Sequence, residues 1–238
     1  MGLESALVQE ILTIAEGIIS ENRVLNAKLL FKEVCKQLKI DHKSLLAIIN
    51  SLLAQRILVE GSKLTKELIL SNLHRKNIYE YIRKNRGANF STIRQEYEGT
   101  TGSSGQLIWH LQVLMQFNYI KKIKYKRFTI FLPLELEDEE GLFTFLLRDP
   151  LNKKILRLLH THGILNKTDF YQDLDAPREK IHYHLNTLLE VNLISSIGDK
   201  EVCINPGKKG YLDEILKKPN ENGGKKYNGT ELDSWEYN

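Results

Sequence analysis

An internal repeat constrains the fold of this chain more than any other feature. Trp109-His110-Leu111 recurs as Tyr183-His184-Leu185. Each copy is followed by an Asn, at Asn118 and Asn192, and then by alternating apolar and polar residues. Asn tolerates the left-handed conformation that closes many helices, and alternation is typical of strands. Both copies therefore predict a helix followed by a β-hairpin.

The copy that contains Trp109, termed the second repeat, continues towards the N-terminus as two further helices. Residues 75–86 carry apolar side chains at helical spacing, and Ser91 is placed to cap a shorter helix. Residues 98–105 are rich in glycine and predict a turn. The expected order is helices at residues 75–86 and 91–97, a third helix from Ser103 or Ser104 to Phe117, and strands at residues 119–123 and 127–132 joined at residues 124–126.

The third repeat, which contains Tyr183, has the same order. Thr168 stands where Ser91 stood, and Pro177 suits the first turn of the third helix. A turn at Gly198-Asp199 separates the two strands. The predicted elements are helices at residues 153–160, 168–174 and 177–191 and strands at residues 193–197 and 201–205.

A fainter first repeat precedes these two. Its hairpin is short, with strands at residues 57–59 and at Leu64, and Ala47-Ile48 stands in place of the aromatic-His pair. Apolar residues cover much of the circumference of its third helix, at residues 43–56, which indicates burial on two sides. An N-terminal helix or the same repeat of a second chain would provide the second side. We therefore predict a docking role for residues 1–65, with a homodimer as the expected assembly.

Helix-turn-helix followed by a β-hairpin is the arrangement of a winged helix. We predict a mainly α chain with small β-hairpins (α+β), built from three tandem winged-helix (helix-turn-helix) domains. The predicted boundaries are residues 1–65 for an N-terminal helix and degenerate winged helix, 66–133 for a basic winged helix, 134–149 for an acidic linker, 150–216 for a third winged helix, and 217–238 for a disordered tail whose few apolar residues cannot form a core.

At these residues the sequence resembles archaeal winged helix-turn-helix transcription regulators. The matching features are WHL or YHL within a helix, an apolar residue three positions later, an Asn helix stop and a wing. The resemblance covers about residues 10–215 and is strongest at residues 72–133 and 150–205. Such regulators use the third helix and the wing on DNA, and the resemblance implies the same use here. The first repeat departs from the pattern through its short wing and its missing aromatic-His pair.

The charge is concentrated in one segment. Residues 66–133 contain 12 Lys and Arg against 4 Asp and Glu, a surplus of +8, whereas the whole chain carries +4. Residues 134–149 contain 1 Lys or Arg against 6 Asp and Glu. A polyanionic partner is expected to bind the basic segment, and the acidic one is expected to lie away from it.

The second repeat carries the main candidate site. Lysines in its hairpin would neutralise phosphates, and polar side chains of its third helix would contact base edges. The alternatives are an edge strand blunted by lysines and a plain solvated helix surface. The candidate DNA-contacting residues are Ser103, Ser104, Gln106, His110 and Gln112 on the third helix and Lys121, Lys122, Lys124, Lys126 and Arg127 in the hairpin.

The remaining side chains of the third helices are assigned by their spacing. Leu107, Leu111 and Leu114 share one stripe and are expected in the core. Trp109 and Tyr183 are expected to fill core gaps rather than to stack on a ligand. His110 and His184 face either solvent and DNA or a backbone carbonyl. In the third repeat, whose wing is nearly neutral, the candidates for weaker or auxiliary DNA contact are Arg178, Lys180 and His182.

Two other functional classes compete with a DNA-binding regulator. Tandem winged helices also build protein-interaction modules such as endosomal-sorting subunits and polymerase-associated factors, which the apolar first repeat favours. An enzyme is not expected, because no catalytic triad, phosphate-binding loop or metal-ligand spacing is found. We therefore expect no cofactor or metal. The two distant cysteines and the lack of an apolar span or leader pattern favour the cytoplasm.

Overall fold

The structure is a computed structural model that describes residues 3–22, 24–97 and 103–217. Over these residues the chain is mainly helical and forms two antiparallel three-stranded sheets, which confirms the predicted class. Residues 98–102 of the predicted glycine-rich turn and residues 218–238 of the predicted tail lie outside the described residues. The chain divides into two compact units, Met1–Phe145 and Leu146–Asn238. No helix in the described ranges combines the length and the hydropathy that a membrane crossing requires.

The first unit contains the first two repeats. Its sheet has the strand order β1-β3-β2, in which β1 pairs with β3 and was not predicted because two residues are too few to show alternation. The elements are α1 (Leu3–Asn22), α2 (Ala27–Gln37), α3 (His42–Ala54), α4 (Lys66–Ile69), α5 (Leu73–Lys84), β1 (Ala88–Asn89), α6 (Phe90–Glu96), α7 (Ser104–Gln116), β2 (Ile120–Tyr125), β3 (Phe128–Pro133) and α8 (Asp138–Leu146).

Helices α1, α2 and α3 share one hydrophobic core. Ile11 and Ala15 of α1 are fully buried in it, together with Leu30 of α2 and Leu45 of α3. The N-terminal helix therefore covers apolar surface of the first repeat within the chain itself. Leu46 of α3 remains 52% exposed. A homodimer through residues 1–65 stays a prediction.

The first repeat has no hairpin. Residues 57–64 are all described, and no strand forms among them. Instead, Leu25 donates from its backbone nitrogen to Ser62 O at 2.8 Å, and Val59 and Leu64 pack into the core of the second repeat. The predicted short hairpin is therefore wrong, because its apolar residues are used between the repeats. Residues 1–65 and 66–133 lie in one compact unit.

The second repeat follows the predicted order of helices. Leu107, Leu111 and Leu114 are at most 2% exposed, which confirms the predicted stripe. They pack with apolar residues of α5 and α6 in one core. The short helix is capped by Asn89, which accepts from Thr92 N at 2.8 Å, and not by Ser91.

The predicted acidic linker is partly a helix. α8 begins at Asp138 and packs through Leu142 on the hairpin residues Ile130 and Leu132. Gly141 lies so close to Leu132 that a Cβ at this position would overlap the leucine side chain. Residues 138–145 are therefore part of the first unit.

The second unit contains the third repeat. Asn118 and Asn192 both adopt the predicted left-handed backbone, at φ 55° and 57°. Pro177 is the residue before the third helix, and the sheet has the order β4-β6-β5. The elements are α9 (Pro150–His162), β4 (Ile164–Asn166), α10 (Phe170–Asp173), α11 (Arg178–Glu190), β5 (Ile194–Ile197), β6 (Glu201–Ile204) and α12 (Lys209–Lys217). Helix α12 was not predicted; Asp213 binds His160 of α9 at 2.7 Å.

Candidate nucleic-acid interface

β2 and β3 form a hairpin that follows directly after α7. The strands pair from Ile120 with Pro133 to Tyr125 with Phe128. The turn is Lys126-Arg127, with Lys126 in left-handed backbone at φ 50°. The predicted turn at residues 124–126 is therefore displaced towards the C-terminus. The strand continues because Tyr125 packs with the hydrophobic cluster under α8.

The two faces of this hairpin have different neighbours. Ile120 belongs to the core that α5 and α7 share, whereas Ile123 and Ile130 pack with α8. Side chains alternate between the faces along a strand. Lys122 and Lys124 therefore lie on the face of Ile120, beyond the helical core, and both are exposed. The acidic helix contacts the opposite face.

Lys121 differs from the other predicted cations. It lies on the face that α8 covers, and its Nζ is 2.8 Å from Asp138 Oδ1. A second ion pair joins Arg86 to Glu140 at 2.8 Å. A phosphate contact by Lys121 would have to displace Asp138. We therefore remove Lys121 from the candidate surface, although such an exposed pair contributes little to stability.

The turn adds two exposed cations. Lys126 Nζ lies 5.4 Å from the centre of the Tyr125 ring, and Arg127 lies 5.5 Å from the centre of the Phe128 ring. Aromatic faces attract cations at such distances. The hairpin therefore presents four exposed positive side chains, and we use the name cationic hairpin for residues 120–133 with Lys122, Lys124, Lys126 and Arg127.

The N-terminus of α7 is capped by its own polar side chains. Ser103 Oγ accepts from Gln106 N at 3.4 Å, and Gln106 Oε1 accepts from Ser103 N at 3.1 Å. This reciprocal pair is a capping box. Ser103 and Gln106 are exposed and Ser104 is half-buried. Both exposed side chains are thus partly engaged, whereas Gln112 lies exposed two turns further along the helix.

His110 is not on the exposed face of α7. It is 6% exposed, its ring centre lies 5.7 Å from that of His74, and within the described residues Nδ1 has no hydrogen-bond partner. Burial, together with the positive charge of Arg75 and the His74 ring, lowers the pKa of His110 below its ordinary value. We therefore remove His110 from the candidate surface, because its ring is buried rather than exposed on α7.

Trp109 and Tyr183 are on the outside of their helices. They are 50% and 55% exposed, so the prediction that they fill core gaps is wrong. The signal was present in the sequence. The core positions recur at Leu107, His110 and Leu111, and Trp109 falls between them on the opposite side of the helix.

The Trp109 ring has a fixed neighbour. The Arg75 guanidinium lies 5.6 Å from the ring centre, and Arg75 Nε donates to Ile69 O at 2.7 Å. Arg75 is only 5% exposed. The buried arginine therefore supports an exposed indole, an arrangement that the sequence pattern did not indicate.

In the second unit the equivalent histidine is also buried. His184 is 5% exposed, and its Nδ1 lies 2.9 Å from Asn152 Oδ1. Asn152 Nδ2 donates to Leu146 O at 2.8 Å. Because the amide nitrogen is used there, Oδ1 faces the imidazole and Nδ1 carries the proton. The partner is thus a side-chain amide, where a backbone carbonyl or solvent and DNA were expected.

The candidate residues of the third repeat are exposed, but carboxylates lie on the same helix as their positive charges. Arg178, Lys180 and His182 all lie on the surface of α11. Arg178 lies 5.6 Å from the centre of the Tyr171 ring, and Asn186 Nδ2 lies 3.2 Å from His182 Nδ1. The exposed carboxylates on the same helix are Glu179 and Glu190, and the β5–β6 turn adds Asp199. The favourable field for an anion is therefore weaker here than at the cationic hairpin.

Comparison with known proteins adds no identification: no family model matches the chain, and no curated protein matches it. Among the described residues, no group of three or more His, Cys, Asp and Glu side chains is arranged to hold a metal ion. Function is therefore inferred from the charge and the geometry of the surface that α7 and the cationic hairpin present.

Proposed function

We propose that the chain is a DNA-binding transcription regulator with winged-helix repeats, which binds duplex DNA through α7 and the cationic hairpin. The observation that carries this proposal is the exposure of Lys122, Lys124, Lys126 and Arg127 on a hairpin that directly follows α7. The resemblance of the WHL and YHL segments to winged helix-turn-helix regulators supports it independently. In this arrangement α7 enters the major groove and the hairpin contacts the flanking phosphates.

The distribution of opposite charge favours this surface. Asp138 and Glu140 pair with Lys121 and Arg86 on the side of α8, so the carboxylates of this segment neutralise cations that do not face the candidate surface. The exposed cations of the hairpin lie on the turn and on the face of Ile120. Phosphate oxygens would be attracted to these cations, which lie on one hairpin and its turn.

The test is to titrate the protein into a labelled duplex of mixed sequence and to measure the Kd by fluorescence anisotropy at several salt concentrations. For about four phosphate contacts, the Kd should rise about 100-fold between about 50 mM and about 200 mM salt. Replacing the four exposed hairpin cations by Gln should weaken binding at low salt by more than about tenfold and flatten this dependence.

A matched variant controls for net charge. The first repeat also carries four exposed lysines, and their replacement by Gln removes the same charge from the same unit: Lys28, Lys32, Lys39 and Lys43. This variant should retain most of the affinity and the salt dependence. Equal losses in the two variants would show attraction by net charge alone, and unchanged binding by the hairpin variant would exclude the proposed interface.

A protein-interaction module is the second candidate, and one observation favours it. Ile108 and Trp109 are 46% and 50% exposed on α7, a large apolar area for a helix that enters a groove. If the full-length chain shows no salt-dependent binding to duplex, this function becomes the better one. Trp109→Ala should then reduce capture of a protein partner without changing the fold.

A further inference from the structure

We infer that α7 reads A·T base pairs in the major groove in preference to G·C pairs. This inference rests on the proposed function and names the class of DNA that the same surface prefers. It follows from the chemistry of the exposed side chains of α7, which determines the bases that the helix can recognise, whereas the cationic hairpin contacts phosphates of any sequence.

The exposed face of α7 carries only apolar and amide side chains. Gly105, Trp109, Gln112 and Gln116 follow one another at helical spacing, with Ile108 beside them, and all five residues are exposed. The sequence of the helix, SGQLIWHLQVLMQ, contains no Lys, Arg, Asp or Glu.

The major groove displays a different pattern for each base. Guanine is read by Arg or Lys on O6 and N7, and cytosine by Asp or Glu on the N4 amino group. Adenine is read by Asn or Gln on N6 and N7, and the C5-methyl group of thymine by apolar side chains. The exposed side chains of α7 supply the last two kinds of contact, and α7 has no Lys, Arg, Asp or Glu for the first two.

Gln112 is the best placed of the amides. Gln106 uses its Oε1 in the capping box, so its oxygen is not available to accept from adenine N6 while the cap is intact. Gln112 is exposed, and it lies one turn beyond both Ile108 and Trp109. A bidentate contact from Gln112 to adenine would therefore be flanked by apolar contacts.

Trp109 is suited to a methyl group rather than to a hydrogen bond. The Arg75 guanidinium lies 5.6 Å from the centre of the Trp109 ring. One turn earlier, Gly105 leaves space on the exposed surface: among the described residues, a Cβ at Gly105 would meet only Ser103 Oγ, at 3.6 Å. A thymine methyl group can approach the indole there. Ile108 extends the same apolar area by one residue.

The experiment compares three duplexes of equal length with the full-length protein at one salt concentration. One contains mixed A·T pairs without runs of adenine, one contains G·C pairs, and one is the A·T duplex with uracil in place of thymine. The A·T duplex should bind at least about tenfold more tightly than the G·C duplex, and removal of the methyl groups should lose part of that preference.

Two variants assign the preference to α7. Gln112→Ala should reduce the preference about tenfold while leaving the affinity for the G·C duplex unchanged, and Gln37→Ala, at an exposed position of α2, should change neither. A preference that survives Gln112→Ala and the loss of methyl groups would come from the shape of A·T-rich DNA and would overturn the inference.

The outcomes separate this inference from the function on which it rests. Equal, salt-dependent binding of the A·T and G·C duplexes overturns the A·T reading and leaves the DNA-binding function in place. A preference for the G·C duplex overturns the reading as well. Absence of salt-dependent binding to all three duplexes removes both.

Discussion

At the scale of single residues, the aromatic-His pair is arranged opposite to the expectation from its residue types. The imidazoles of His110 and His184 are buried, and the aromatic rings before them are exposed. His110 lies near Arg75, and His184 contacts Asn152. The two partners hold equivalent positions, since each is the third residue after the N-cap of the first helix in its repeat, Asn72 or Asp149. One repeat therefore buries an imidazole beside a cation, and the other buries it beside an amide.

The contact between Asn152 and His184 in the second unit should contribute measurably to the free energy of unfolding. Asn152→Ala removes the acceptor of His184 Nδ1 and the donor to Leu146 O, both in buried surroundings. We expect the free energy of unfolding to fall by about 2–3 kcal/mol, measured by urea denaturation. Asn186→Ala, on the exposed side of α11, should change it by less than about 0.5 kcal/mol. Equal effects would contradict the assigned contact.

The environment of His110 predicts a pH dependence. Because burial, Arg75 and His74 lower its pKa in the folded chain, the unfolded chain binds the proton more readily. The stabilisation is fully present above the ordinary pKa of 6.5 and is lost as the pH falls below it. The free energy of unfolding should therefore fall between neutral and mildly acidic pH, by at most about 1.4 kcal/mol per pH unit for this group.

His110→Gln provides the comparison, because it keeps a polar side chain but removes the titrating group. Unfolding by urea at several pH values should show a smaller decline for the variant than for the unchanged chain. An equal decline of the free energy of unfolding with falling pH in both chains would mean that the pKa of His110 is not lowered on folding, and that other groups account for the decline.

At the scale of elements, the hairpin β2–β3 is a sheet with two unlike faces. One face continues the core of α5 and α7 and ends in exposed lysines, and the other is covered by α8. The close approach of α8 depends on Gly141, whose missing Cβ leaves room for Leu132. Because α8 covers one face of the sheet, Lys121 is paired there, whereas Lys122 and Lys124 on the other face are exposed.

Gly141 tests this packing, and Gly17 of α1, which takes no part in it, provides a control with the opposite expected sign. Gly141→Ala should destabilise the chain by about 1–3 kcal/mol, because the added methyl group overlaps Leu132. Gly17→Ala should stabilise it by about 0.5–1 kcal/mol, because among the described residues no atom outside the neighbouring helix backbone lies within 4 Å of the added Cβ. Thermal unfolding of both variants gives the measurement. Stabilisation by both would show that α8 does not pack closely on the hairpin.

Periodicity and helix stops were sufficient to predict most helices, both complete hairpins and the left-handed Asn residues. They failed where tertiary packing overrides local pattern. Val59 and Leu64 have the alternation of a strand but are used in a neighbouring core, and the charges at residues 138–140 indicate a solvated segment although Leu142 binds it to the sheet. The pairing of Lys121 with Asp138 likewise depends on a helix position that charge counting does not reveal.

At the scale of the whole molecule, the second repeat, in the first unit, and the third repeat, in the second unit, differ in charge distribution rather than in the order of their elements. Both contain a long third helix followed by a hairpin, but four exposed cations are concentrated on the hairpin of the first unit. In the second unit Glu179 and Glu190 share the exposed face of α11 with Arg178 and Lys180. The proposed function therefore assigns most of the DNA affinity to the first unit.

This asymmetry predicts unequal effects of charge removal. Replacing Arg178 and Lys180 together by Gln should leave the slope of log Kd against log salt nearly unchanged, because carboxylates beside them oppose a phosphate contact. The anisotropy titration used for the cationic hairpin measures this slope. A reduction by about 2 would mean that the second unit neutralises phosphates as well.

The support of Trp109 by a buried arginine also has an optical consequence. The chain contains two tryptophans, Trp109 and Trp235, so Trp235→Phe leaves a single indole at the centre of the proposed interface. Indole emission responds to the polarity and the quenchers around the ring, and Trp109 is 50% exposed. Titration of that variant with unlabelled DNA should quench its emission and shift the wavelength of the emission maximum. The same change in emission would detect, without a dye, the binding of any other partner to α7.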